Sequence, residues 1–143
     1  MIATFDANLL ASGLVAAGGG TIASIFEAWR QDRFKVALSE HIYEELVRTL
    51  AQPYFTGRVP ADAIARYLSF VFHRATLYAI TVTISGVATH PEDDLVLASA
   101  LSARADYLVT GDRRLRSQVP SYQGTRVVSP AEFLTIISAD DED

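Results

Sequence analysis

Two aspartates stand where short apolar runs break off. Residues 2–5 read IATF and lead into Asp6, Ala7 and Asn8, and residues 107–110 read YLVT and lead into Gly111 and Asp112. As neighbouring strands of a parallel sheet, the two runs deliver both carboxyl groups to the crevice beyond the strand ends, where such sheets bind ligands. Two further acidic pairs can reach that crevice: Glu44 and Glu45 within SEHIYEELVRTL, and Asp93 and Asp94 at the head of EDDLVLASAL. Carboxylates about 4 Å apart repel by roughly 4 kcal/mol per pair at an effective dielectric of about 20, so several in one pocket require protons or a cation.

The elements that must position these acids follow from periodicity. After the strand at 2–5, residues 9–15 suit a helix, Gly18 to Gly20 interrupt it, and residues 21–31 are amphipathic. A strand is expected at 34–38. Ser39 then caps a helix to about Leu50, in which Ile42, Leu46 and Leu50 mark the buried stripe and Glu45 lies at its margin. Pro53 and Gly57 close that segment, and Pro60 opens a helix to about Leu77. Residues 78–83 alternate like a strand, and a loop leads into a helix at 93–103, where one adjacent aspartate can cap while the other points away. Strands at 107–110 and 126–128 follow. Ser129, Pro130 and Glu132 then spell the start of a last helix. Such alternation implies a parallel sheet between helices, with one domain over 1–138 and an acidic, frayed tail at 139–143.

Composition narrows the function. The chain has 143 residues, half of them hydrophobic and a fifth charged, which suits one globular domain. Cysteine is absent, removing disulfides, zinc-thiolate sites and thiol nucleophiles together, and this fits a reducing compartment. No apolar run reaches the length of a membrane span, and the expectation is a cytoplasmic protein without a membrane partner. A net charge of −5 argues against a surface that coats nucleic acid, although eleven of the twelve basic residues are arginine, the better phosphate ligand. Arg113, Arg114 and Arg116 crowd behind Asp112 as candidate phosphate contacts. The GGGT run at 18–21 lacks the lysine of a phosphate-binding loop. The three histidines show no metal-ligand spacing, with His90 the one placed to line the site.

FDANLL near the start, EEL within a helix, DDLVLASAL, then ADYLVTGDRRL and RVVSPAEFL together resemble a PIN domain of the VapC-like toxin group, in order and over nearly the whole chain. The resemblance implies a three-layer α/β/α sandwich with a central, mainly parallel sheet of about five strands. It implies a metal site of Asp6, Glu45, Asp94 and Asp112, supported by Asn8, Thr110 and Asp93. The family usually has threonine where this chain has Ala7. All-oxygen ligation suits Mg²⁺ or Mn²⁺, and such ions promote phosphodiester hydrolysis. The implied function is a metal-dependent endoribonuclease, with RNA as substrate and a small antitoxin as partner.

Other readings start from the same residues. A PIN-like nuclease can serve RNA processing or decay without an antitoxin, and a non-catalytic binding module can keep the fold. An aspartate-based phosphotransferase using Asp6 as nucleophile commonly needs a second aspartate nearby and a lysine at a strand end. Position 8 is asparagine, and the only lysine, Lys35, precedes the second strand. The helix from Pro60 carries Ile64, Tyr67, Leu68, Phe70, Val71 and Phe72, more apolar surface than one core stripe uses. Burial is its first explanation and a homodimer or antitoxin surface its second.

Overall fold

The computed structural model describes residues 1–16 and 18–140. Strand β1 (Ile2–Phe5) passes directly into helix α1 (Ala7–Val15), followed by α2 (Thr21–Arg30), β2 (Lys35–Leu38), α3 (Glu40–Leu50), a single turn α4 (Pro53–Thr56) and α5 (Ala61–Arg74). A two-residue strand β3 (Thr76–Leu77) precedes α6 (Pro91–Ser102). Then come β4 (Tyr107–Val109), α7 (Arg113–Gln118), β5 (Ser121–Tyr122), β6 (Thr125–Val128) and α8 (Pro130–Asp140).

Six strands form one sheet in the order β3-β2-β1-β4-β6-β5, with every pairing parallel except the terminal β5·β6 hairpin. Helices flank the sheet, as the alternation predicts. Because β1 and β4 are adjacent and Phe5 is in register with Val109, the residues that follow them, Asp6 and Thr110, emerge side by side. The central strands are buried on both faces, the signature of a covered parallel sheet.

Phe5 anchors one face. Its ring lies 5.9 to 6.3 Å from those of Phe26, Trp29, Phe34 and Phe133, all in tilted or edge-on contact. Aromatic pairs of this kind add about 0.5–1.5 kcal/mol each beyond their burial. They fix α2 and α8 over the sheet, immediately beneath Asp6. Ser129 opens α8 with a reciprocal capping box, its hydroxyl accepting from the Glu132 N–H while Glu132 accepts from the Ser129 N–H.

Several boundaries differ from expectation. The helix expected to reach Leu77 stops at Arg74, and the edge strand is Thr76–Leu77 rather than residues 78–83. The reason lies in its neighbour. The β2 ladder ends at Leu38, whose carbonyl accepts from the Tyr78 N–H, and Ser39 then turns the chain into α3, so nothing remains for residues 79–83 to pair with. Pro53, expected to close a segment, starts α4. Short α7 and β5 were not anticipated, and the sheet has six strands rather than about five. The expected frayed tail is helical through Asp140, and residues 141–143 lie outside the described residues. No helix among the described residues is long and apolar enough to cross a membrane.

Candidate functional site

A cleft of about 770 Å³ opens at the carboxyl ends of β1 and β4, and Asp6, Glu45, Asp93 and Asp112 all line it. Asp6 reaches it because β1 ends one residue earlier. One carboxyl oxygen caps α1, accepting from the Leu9 N–H at 2.8 Å, and the other accepts from the Thr110 hydroxyl. Asp112 does the equivalent work for α7, accepting from the Leu115 N–H at 3.1 Å. Both strand-end aspartates are therefore helix caps as well as cleft residues, because a strand that passes straight into a helix needs an acceptor at the junction.

Thr110 joins the two. Fully buried, it donates to Asp6, while its hydroxyl oxygen accepts from the Asp112 N–H at 3.0 Å. Asn8 lines the cleft from the exposed side of α1.

Helix α3 supplies Glu45, Arg48 and Thr49 to one wall, and Gln52, at the cap of α4, extends it. Spaced i, i+3 and i+4, the three α3 residues share a helix face. Glu44 is exposed and outside the cleft, so of that pair the structure brings Glu45 to it. His41, one turn earlier, places its Nε2 3.1 Å from Glu45 Oε1, without hydrogen-bond geometry.

The aspartate pair on α6 resolves against expectation. Asp94 is buried, its two carboxyl oxygens accepting from the Gly86 N–H at 3.0 Å and the Ala88 N–H at 2.8 Å. It holds the incoming loop and does not line the cleft. Asp93 does, so of the two aspartates the structure brings Asp93 to the cleft. One residue of helix rotates a side chain by about 100°, enough to separate a cleft acid from a loop anchor.

The arginines are also redistributed. Arg116 donates from Nη1 to the Thr110 carbonyl at 2.8 Å and so braces the β4–α7 junction, while Arg113 and Arg114 are exposed outside the cleft lining. Arg48 is the cationic side chain that lines the cleft. It was missed in the sequence, although its position three residues after Glu45 carried the signal.

The site's electrostatics are those of crowded carboxylates. Burial pushes the Asp6 carboxyl above its ordinary value; the Thr110 and Leu9 hydrogen bonds oppose this, and the charges of Asp112 and Glu45 add to it. Asp93 is also raised, first by burial and then by the Asp112 charge, with His90 pulling the other way. His90 itself does not line the cleft.

The family model of the PIN domain matches residues 3–114. The chain belongs to the PIN-domain family. Among solved structures, this PIN domain is similar to PAE2754 from Pyrobaculum aerophilum, at 19% identity over 97% of this chain and 90% of that one, with a TM-score of 0.67. It is also similar to VapBC2 from Rickettsia felis, solved bound to a DNA fragment from its promoter, at 12% identity over 90% of this chain and 98% of that one, with a TM-score of 0.59. No curated protein matches it. At these identities the two structures establish the shared fold, and family membership makes the chain a PIN-type nuclease.

The donors lining the cleft are oxygens, the chemistry hard divalent cations take. Among the described residues, no three or more His, Asp or Glu side chains come together closely enough to hold a metal ion between them. That still fits Mg²⁺, which typically meets one or two carboxylates directly and keeps several waters. Burial and neighbouring carboxylates raise Asp6 and Asp93, and a bound cation would relieve both.

Proposed function

We propose that the chain is a Mg²⁺- or Mn²⁺-dependent endoribonuclease acting as the toxin of a toxin–antitoxin pair. The observation that carries this reading is the convergence of Asp6, Glu45, Asp93 and Asp112 on one cleft at the carboxyl ends of β1 and β4. One or two of Asp6, Asp93 and Asp112 would meet the cation directly and the others through its waters, with Glu45 completing the acidic wall. When bound, the cation would supply charge neutralisation and Lewis acidity at a phosphodiester.

The chain's own groups set the geometry. Thr110 and the Leu9 N–H fix both oxygens of Asp6, so the carboxylate meets its ligand without a rotamer search. Arg48, on the wall that carries Glu45, offers a planar donor to a phosphate oxygen of the substrate. Glu45 faces the same space and can accept a proton from an attacking water. RNA as substrate and an antitoxin as partner rest on membership of the PIN family and on the likeness to VapBC2.

Asp6→Asn keeps the α1 cap and removes one ligand charge. The expected outcome is loss of Mn²⁺-dependent cleavage of a mixed RNA pool, by at least a hundredfold, with an unchanged circular dichroism spectrum. Full activity in that variant would sink the assignment.

A further inference from the structure

One wall of the acidic cleft leads away from the carboxylates, from Glu45 along Arg48 and Thr49 to Gln52 at the cap of α4. Tyr54 follows two residues later, so its Cα lies no more than about 7.6 Å from that of Gln52, at about 3.8 Å per residue. The turn of α4 then sets the direction. Thr56 lines an apolar groove with Val47, Leu50 and Val59, and Phe55 is buried. At about 100° per residue, Tyr54 stands about 200° round from Thr56, on the side away from that groove.

The Tyr54 ring is held, yet open. Arg58 donates from Nη1 to the Tyr54 carbonyl at 2.8 Å and lays its guanidinium 3.9 Å from the centre of the Tyr54 ring. The buried Phe55 meets the same ring at 4.9 Å, with the two planes at 75°. Tyr54 nevertheless stands 53% exposed. Two planar groups ordered in advance lose little side-chain freedom when a third plane stacks on them. Unpaired nucleobases stack on tyrosine rings and on arginine guanidinium planes alike. The cleft has use for such a contact. The net charge is −5, Arg48 is the cationic side chain in the lining, and Arg116 is engaged with the Thr110 carbonyl, so attraction to phosphates alone holds a polyanion weakly here.

We propose that Tyr54 and Arg58 form a base-stacking subsite, which takes an unpaired nucleobase of the RNA strand whose scissile phosphate lies in the acidic cleft. The subsite rests on the reading of the cleft as a ribonuclease site, and gives that site a contact beyond the bond to be cut.

Binding tests this without requiring cleavage. A short single-stranded RNA of uridines carrying one 2-aminopurine, a base whose fluorescence is quenched by stacking, is titrated with the protein in the presence of Ca²⁺. The wild type should quench it. Tyr54→Ala should abolish the quenching and weaken Kd by roughly 5- to 150-fold, the range of one aromatic–base stack, with an unchanged circular dichroism spectrum. Tyr54→Trp, which restores a planar ring, should keep both the quenching and the affinity. In Mn²⁺-dependent cleavage, the loss in Tyr54→Ala should fall on KM rather than on kcat. A wild type that binds no RNA overturns the proposal, as does a Tyr54→Trp protein that binds as weakly as Tyr54→Ala. Tyr54→Ala with wild-type Kd and KM overturns the subsite while leaving the ribonuclease reading intact. RNA that is bound and quenched but never cut in Mn²⁺ does the reverse, removing the ribonuclease reading and keeping the stacking subsite.

Discussion

A helix that begins at a cleft can give adjacent acids unrelated tasks, because each step of about 100° swings the side chain to a new face. Asp93 and Asp94 illustrate this at the head of α6. Asp93 faces Asp112 across the cleft, whereas Asp94 spends both oxygens on the N–H groups of Gly86 and Ala88. Their asparagine variants should therefore fail differently. Asp93→Asn should lose most metal-dependent cleavage and keep its melting temperature. Asp94→Asn replaces a charged acceptor with an amide whose NH₂ faces an N–H donor, costing about 1–3 kcal/mol of stability. Cleavage per folded molecule should survive better there. Thermal melts paired with single-turnover cleavage separate the two, and the reverse pattern would return the cleft role to Asp94. The sequence showed that two acids sat together at this helix start. It did not show which was turned inward, because that depends on where the helix begins: Pro91, two residues before the expected start at 93.

Helices and strands place the rest of the site by their junctions. β1 and β4 were legible as apolar runs, and their aspartates proved to be caps because each strand gives way to a helix within a few residues. The helix periodicity of α3 was legible too. Its wall was not, since Arg48 and Thr49 gain meaning only once the face carrying Glu45 is known to border the cleft. The edge strand was misplaced because pairing depends on a partner, and β2 stops at Leu38. The junction of most consequence is held by Thr110, which bonds Asp6, receives the Asp112 N–H, and has its carbonyl braced by Arg116. Thr110→Val keeps the shape and deletes the hydroxyl. We expect a loss of about 1–3 kcal/mol from the stranded groups, together with weaker Mn²⁺ activation, as Asp6 loses the bond that orients it. An activation curve matching wild type would show that Asp6 is held by the cap to Leu9 alone.

At the scale of the molecule, the net charge of −5 and the acidic cleft mean that the metal-free fold works against itself. Asp6 and Asp93 both bind protons more readily in the folded chain than in the unfolded one. The stability tied to their protonation is complete below the unfolded value, about 4, and is lost as pH rises through their raised folded values. Without metal, the melting temperature should therefore fall as pH climbs from about 4 toward neutrality, and Asp6→Asn should flatten that fall. A cation removes the same penalty by another route. At roughly a hundred times its Kd it adds about 2.7 kcal/mol, which for a chain of this size is a rise of roughly 5–10 °C. Asp112→Asn removes one of the charges that act on both Asp6 and Asp93, so it should shrink the metal-induced rise and also raise the metal-free melting temperature at neutral pH. These opposite signs in one variant distinguish a shared cation site from a merely structural carboxylate. A structural Asp112 whose loss only uncapped α7 would lower the melting temperature with and without metal alike.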